Sequence, residues 1–267
     1  MNVHVRPLGD HLREWRQRRR MSQMDLALEA EISTRHLSFI ETGRSQPSRE
    51  MLLHLAEQLE VPLRDQNAML VAAGFAPVFP ERALDDPDLG PARRALDLVL
   101  AGHEPYPAIL VDRRWNLVAG NRAVPLLLQG LAPELLKPPV NVLRVALHPN
   151  GLAARTANLA EWRGHLLERL RREIGQTADS GLIELMAELK AYPVPPAPDR
   201  RPQDFGGIAV PFQLLTDAGV LSFFSTTTVF GTPVDITLSE LALETFLPAD
   251  AATAEFMRIA LRSLPQA

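Results

Sequence analysis

The chain has 267 residues, a formal net charge of −4, 46% hydrophobic residues and no cysteine. That length can bury two separate cores, and the missing thiols exclude disulfides, thiolate metal sites and cysteine-based redox sensing. No charged segment followed by an apolar run opens the chain and no apolar stretch reaches about 18 residues, so neither secretion nor a membrane span is expected, and the cytoplasm is the expected compartment.

Helical spacing and caps predict five helices at about residues 8–19, 22–30, 33–42, 48–60 and 62–73. Ser22 with Asp25 makes a capping-box start and Ser33 caps the next helix. Pro47-Ser48 and Pro62 open the fourth and fifth, and Gly74 closes the last. Leu26, Ala27 and Ala30 turn the second helix inward, as Leu37 and Ile40 do the third, which leaves Thr34, Arg35 and Ser38 on a face that can meet bases. Residues 1–75 hold ten arginines and ten acidic residues, so net charge gives no sign of a nucleic-acid partner. Arg13, Arg16, Arg18, Arg19 and Arg20 nevertheless crowd one helix end. There they can face phosphates or serve only the C-terminal end of the helix dipole.

The stretch from Leu12 to Val61 resembles the cro/C1-type (XRE family) helix-turn-helix domain. The resemblance implies an all-α, five-helix, lambda-repressor-like DNA-binding domain over residues 8–74. It places Gln23 where a DNA phosphate is bonded, Ser33, Thr34, Arg35 and Ser38 at the recognition helix, and Arg44 in the following loop at the DNA backbone. It also pairs Arg16 with Glu41 as a structural ion pair, which fixes helix orientation without reading bases. Two positions depart from the family pattern, since glycine is frequent where this chain has Glu31 and Arg20. A left-handed backbone at either costs about 1 kcal/mol relative to glycine. An ordinary helical hairpin in a larger bundle would not reproduce the caps, Gln23, the Thr34-Arg35 start and the Glu41-Thr42-Gly43-Arg44 ending together.

Residues 75–91, with four prolines and the acidic Asp85-Asp86-Pro87-Asp88 run, read as a linker. A helix from Ala92 to Ala101 follows. Strand-like runs at Ala108–Val111 and Trp115–Ala119 then flank the hairpin-sized turn Asp112-Arg113-Arg114. Leu159, Trp162, Leu166, Leu170 and Ile174 repeat at helical spacing, as do Leu182, Leu185, Met186 and Leu189. Beyond the proline-rich stretch Pro193–Pro202, strands are predicted at Ile208–Leu215, Val220–Phe230 and Val234–Phe246, with a last helix at about Thr253–Leu264. Two strands, several helices and three long strands is the order of a PAS-type α+β domain, one antiparallel sheet covered by helices around a small cavity.

The segments Asn121-Arg122-Ala123, Leu147-His148-Pro149-Asn150-Gly151, Phe230 through Leu241 and Phe246-Leu247-Pro248-Ala249-Asp250 resemble the MmyB-like ligand-binding domain. Residues 92–267 are therefore expected to form such a domain behind the DNA-binding one. The resemblance implies an apolar ligand, a long-chain fatty acid or a relative of one, and no other cofactor.

Histidines at 103, 148 and 165 do not make a metal or catalytic site in this sequence. No His-Glu-x-x-His run or cysteine accompanies them, and no nucleophile elbow, phosphate loop or dinucleotide fingerprint appears. Trp115, Leu143, Trp162, Phe212, Phe223 and Phe224 read singly as core and together as the walls of a sheet-backed cavity. An acid headgroup there would need donors, for which Asn121, Arg144, His148 and Arg155 are candidates. The sequence thus describes a transcription regulator rather than an enzyme, with double-stranded operator DNA and an apolar small molecule as partners. A homodimer is expected, because one recognition helix covers only a few base pairs. A second domain that docks a protein, or an enzyme with a DNA-binding head, are the alternatives.

Overall fold

The computed structural model describes residues 6–177, 179–194, 210–230 and 235–263. The chain forms two compact units, Met1–Arg82 with Thr232–Ser239 and Ala83–Gly231 with Glu240–Ala267. Among the described residues, no helix is long and apolar enough to cross a membrane.

The first unit opens with helices α1 (Leu8–Arg18), α2 (Gln23–Glu29), α3 (Thr34–Glu41), α4 (Arg49–Gln58) and α5 (Leu63–Ala72). Their starts are written locally. Ser22, Ser33 and Ser48 sit in extended backbone, and their hydroxyls accept from the amides of Asp25, His36 and Met51, which satisfies donors that the first turn leaves unpaired. The Asp25 carboxylate returns a bond to the Ser22 amide, completing the capping box. Leu12, Leu26, Leu37, Leu52, Leu55 and Leu70 meet in a closed core. Gly9 lets α1 and α3 touch, because a Cβ there would lie 2.2 Å from the Glu41 carbonyl oxygen.

Three of the five helix exits carry strain instead of glycine, the other two using Gly43 and Gly74. Arg20, Glu31 and Glu60 have φ values of 58°, 54° and 46°, in the left-handed region where a Cβ crowds the backbone. Glu31→Gly is therefore expected to stabilise this unit by a few tenths to about 1 kcal/mol, relief of Cβ strain exceeding the entropy that glycine adds to the unfolded chain. Thermal unfolding checks it; a lower melting temperature would contradict it.

The second unit begins with α6 (Gly90–Gly102), β1 (Ala108–Val111), β2 (Leu117–Gly120), α7 (Val124–Leu128), α8 (Val142–Leu147), α9 (Leu159–Thr177) and α10 (Ser180–Ala191). Strands β3 (Phe212–Thr216) and β4 (Gly219–Val229) follow. After α11 (Ile236–Ser239), β5 (Ala242–Pro248) and α12 (Ala251–Arg262) complete it. The five strands form one antiparallel sheet in the order β2-β1-β5-β4-β3, so this unit has the expected α+β architecture. In register, Phe212 stands opposite Phe223, and Glu244 opposite Ile109. Helix α9 buries Leu159, Trp162, Leu166 and Leu170, the stripe that its 3.6-residue period defines.

Two motifs act as joints in this unit. The Asn121 side chain accepts from the amides of Ala108 and Ala123 and donates to the carbonyls of Leu100 and Tyr106, tying the end of α6 to the start of β1. Gly151 admits a fold-back after α8, since a Cβ there would stand 2.3 Å from the Val145 carbonyl oxygen.

Two boundaries differ from the sequence pattern. Trp115 belongs to a turn, not to a strand. Its φ is 64°, its amide donates to the Asp112 carbonyl, and the Asp112 carboxylate accepts from the amides of Arg114 and Asn116. The run Val234–Phe246 is not one strand either. The Asp235 carboxylate accepts the Thr237 amide at 2.9 Å and starts α11, so β5 begins only at Ala242. Positions 195–202, 208–209, 231–234 and 264, which fall within expected proline-rich, strand, turn and helix segments, lie outside the described residues.

Residues 235–239 are part of the first unit, although they follow β4 and precede β5 in the chain. Asp235 and Ile236 are buried. Arg82 donates to the Asp235 carboxylate at 3.1 Å, the Ile236 amide to the Pro80 carbonyl at 2.9 Å, and the Thr237 hydroxyl to the Arg82 carbonyl at 2.6 Å.

Candidate functional site

The third helix of the first unit presents Thr34, Arg35 and His36 to solvent, with Ser38 and Phe39 half-buried behind them. Ser33 spends its hydroxyl on the cap. Arg35 and Arg44 stack on the Phe39 ring, with guanidinium carbons 5.3 and 6.0 Å from its centre. Two cations thus share one aromatic support at the helix face and in the loop after it.

Behind this face, Arg16 and Glu41 form the buried ion pair. Arg16 Nε donates to Glu41 Oε1 at 2.6 Å and Nη2 to Oε2 at 3.0 Å, the bidentate fork that guanidinium geometry favours. Arg16 Nη1 also holds the Met21 carbonyl, and Gln23 Nε2 donates to Glu41 Oε2 at 2.8 Å. Gln23, placed by resemblance at a phosphate, is here anchored to Glu41, which leaves its carbonyl oxygen and one N–H for other partners. Burial raises the Glu41 carboxyl, but hydrogen bonds from Arg16 and Gln23 and the charges of Arg16 and Arg13 outweigh it and hold the group below its ordinary value.

The crowd of arginines at the end of α1 serves mostly inside the unit. Arg13 donates to the Glu41 carbonyl, Arg18 pairs with Glu14, and Arg19 reaches the carbonyls of Leu59 and Glu60 at the end of α4. Arg20 is exposed.

In the second unit an apolar cavity of about 90 Å³ lies between the sheet and the helices. Of the residues expected to build it, Trp115, Leu143, Trp162 and Phe212 line it. Phe223 stacks behind Phe212 at 6.4 Å and is fully buried without reaching the cavity. Phe224 does not line it. Trp162 packs on Phe212 with ring centres 5.4 Å apart and stacks with the His165 ring at the same distance. Burial, then the charges of Arg169 and Arg172, lower the His165 pKa.

The four polar candidates are not at the cavity wall. Asn121 is consumed by the joint described above. Arg144 is bound to Glu188 outside, and His148 Nδ1 accepts the Asn150 amide within its own turn. Arg155 donates to the Leu127 carbonyl and lines a separate cleft of about 450 Å³, whose walls include Gln129, Thr216 and Asp217.

The polar end is made by residues that the sequence did not single out. Arg169 and Glu244 line the cavity together, with side chains 15% and 4% exposed. Arg169 Nη1 donates to Glu244 Oε2 at 2.8 Å, and Nη2 bonds the other oxygen. The guanidinium lies 4.5 Å from the centre of the Trp115 ring, whose indole N–H donates to Glu173 Oε2 at 2.6 Å. Burial raises the Glu173 carboxyl above its ordinary value, against the Trp115 bond and the Arg169 charge. The left-handed Trp115 backbone is thus held by the Asp112 turn and by the partners of its side chain, which lets the strain persist. A sequence signal existed. Arg169 and Glu173 fall three positions from Leu166 and Leu170 on the buried stripe of α9, and Glu244 alternates in phase with Phe246.

Among the described residues, no group of acidic, histidine or cysteine side chains could hold a metal ion. No curated protein matches the sequence. Two family models do. Residues 7–69 match a helix-turn-helix domain, and residues 92–260 match the MmyB-like transcription regulator ligand binding domain. The second match covers more than half of the chain. With a helix-turn-helix domain in one unit and an apolar cavity in the other, the chain belongs to the MmyB-like transcription regulators.

Proposed function

We propose that this regulator binds operator DNA as a homodimer through α3 and responds to an apolar small molecule held in the cavity beneath Trp162. The observation that carries the reading is a cavity walled by aromatic and aliphatic side chains with the Arg169–Glu244 pair in its wall, in a chain that also presents Thr34 and Arg35 on a capped helix and Arg44 in the loop after it. Two recognition helices spaced by about 34 Å would read two half-sites, the usual route to useful specificity. Coupling would run along the chain, because β4 and β5 supply Ser225, Glu244 and Phe246 to the cavity and are joined by the segment that ends in α11.

The fatty acid implied by resemblance suits these walls in character but not in volume. A cavity of about 90 Å³ is smaller than the roughly 150 Å³ that admits benzene. A long acyl chain would enter only as the walls part. We therefore place fatty acids among the compounds to be tested and read the occupant as an apolar small molecule.

An operator selected from a random duplex library tests the DNA half of the reading. Arg35→Ala should lower affinity by about 1 to 3 kcal/mol and relax preference at one base pair, as loss of a bidentate guanine contact does. Gln23→Ala should weaken all sequences alike. An Arg35→Ala protein with unchanged affinity and preference would remove this residue from the base-reading face.

A further inference from the structure

The polar end of the cavity has a composition that discriminates among ligands. Among the described residues, its walls are apolar apart from Arg169, Glu244 and Ser225. The one cation among the described wall residues is already matched: both terminal nitrogens of Arg169 bond Glu244, and its Nε stands 3.9 Å from Glu173. Arg172, next along α9, is exposed, and burial disfavours the charged form of His165. A carboxylate entering here would meet a guanidinium whose charge is compensated. It would either lie against the Glu244 anion, where like charges repel, or displace Glu244 and leave that side chain buried without its partner, and both arrangements are unfavourable.

An uncharged group that donates and accepts meets no such penalty. Each terminal nitrogen of Arg169 has a second N–H beyond the one given to Glu244, and the Glu244 carboxylate has lone pairs beyond those it uses. A hydroxyl can accept from the first and donate to the second, with Ser225 as a further partner.

We infer that the Arg169–Glu244 pair makes this cavity selective for small apolar molecules with an uncharged hydroxyl or amide head, and against carboxylates of the same chain length. The inference rests on the reading that this cavity is the sensor site. It alters the expected ligand from a fatty acid to a neutral relative.

The test uses the full chain with matched pairs of 1-alkanols and alkanoates of four to twelve carbons, at neutral pH, by calorimetry and thermal shift. The alkanol should bind at least about tenfold tighter than the alkanoate of equal length, in keeping with what a hydrogen-bonding site achieves against the wrong polar group. Glu244→Gln should narrow or invert that preference, since it frees the charge of Arg169 for the acid. Ala146→Leu, which grows into the cavity, should weaken both series and so locate the binding. An alkanoate that binds as well as its alkanol, and is lost in Ala146→Leu, would overturn the inference while leaving the sensor reading intact. A preference unchanged in Glu244→Gln would overturn the assignment to this pair. Should Glu244→Gln not fold, the wild-type comparison together with Glu173→Gln, which leaves the Arg169–Glu244 fork in place and should keep the alkanol preference, decides the question. No binding of either series at any length would overturn the sensor reading itself.

Discussion

Glu41→Ala is expected to cost the first unit about 3 to 5 kcal/mol, enough to unfold a marginally stable domain. The Glu41 side chain is 0% exposed and holds Arg16 in a fork, so its removal strands a buried guanidinium and frees Gln23 as well. Chemical unfolding followed by far-ultraviolet circular dichroism measures the loss. The pair also sets a pH dependence. Its net effect holds the Glu41 carboxyl below the ordinary 4.5 in the folded protein, so in that window the unfolded chain binds more protons than the native one. The stabilisation is therefore complete above 4.5 and is lost as pH falls through the depressed native value. The difference between wild type and Glu41→Gln should shrink on acidification. A difference that stays constant from neutral pH to pH values well below 4.5 would contradict the paired geometry.

Trp162→Ala should cost the second unit a similar amount, about 3 to 5 kcal/mol, as truncation of a buried tryptophan does. Trp162 is 4% exposed and joins the cavity to the aromatic stack of Phe212 and Phe223. Its loss also enlarges the cavity, so added indole should recover part of the melting temperature in the variant and not in the wild type. A loss under about 1 kcal/mol, or indole without effect, would show that Trp162 does not pack the wall as described.

Local chemistry in the sequence was the most legible. The starts of α2, α3 and α4 could be read because a serine cap acts within three residues, and Glu31 and Arg20 stood out because they occupy turn positions that favour glycine. The sheet was legible as a class through alternating apolar runs. Non-local facts were not legible. Arg169 and Glu244 lie 75 residues apart, and nothing in either segment alone says that an arginine on a helix stripe and a glutamate on a strand will neutralise each other. A still longer separation hid the placement of Asp235, which is 153 residues from Arg82 and yet bonded to it in the first unit. A ligand handle needs a free polar group, whereas burial permits a charge only when it is paired. The same need for partners makes Asn121 a joint and the ion pair the polar end of the cavity, while Arg144 is taken up by Glu188 at the surface.

The measurement that bears most directly on a ligand-responsive regulator is operator affinity with and without the tightest-binding member of the alkanol and fatty-acid series, on wild type and Ala146→Leu. The compound should change wild-type operator affinity, operator should change the affinity for the compound by the same factor, and Ala146→Leu should bind operator but no longer respond. A compound that saturates the cavity while operator affinity stays the same in both proteins would contradict this expectation.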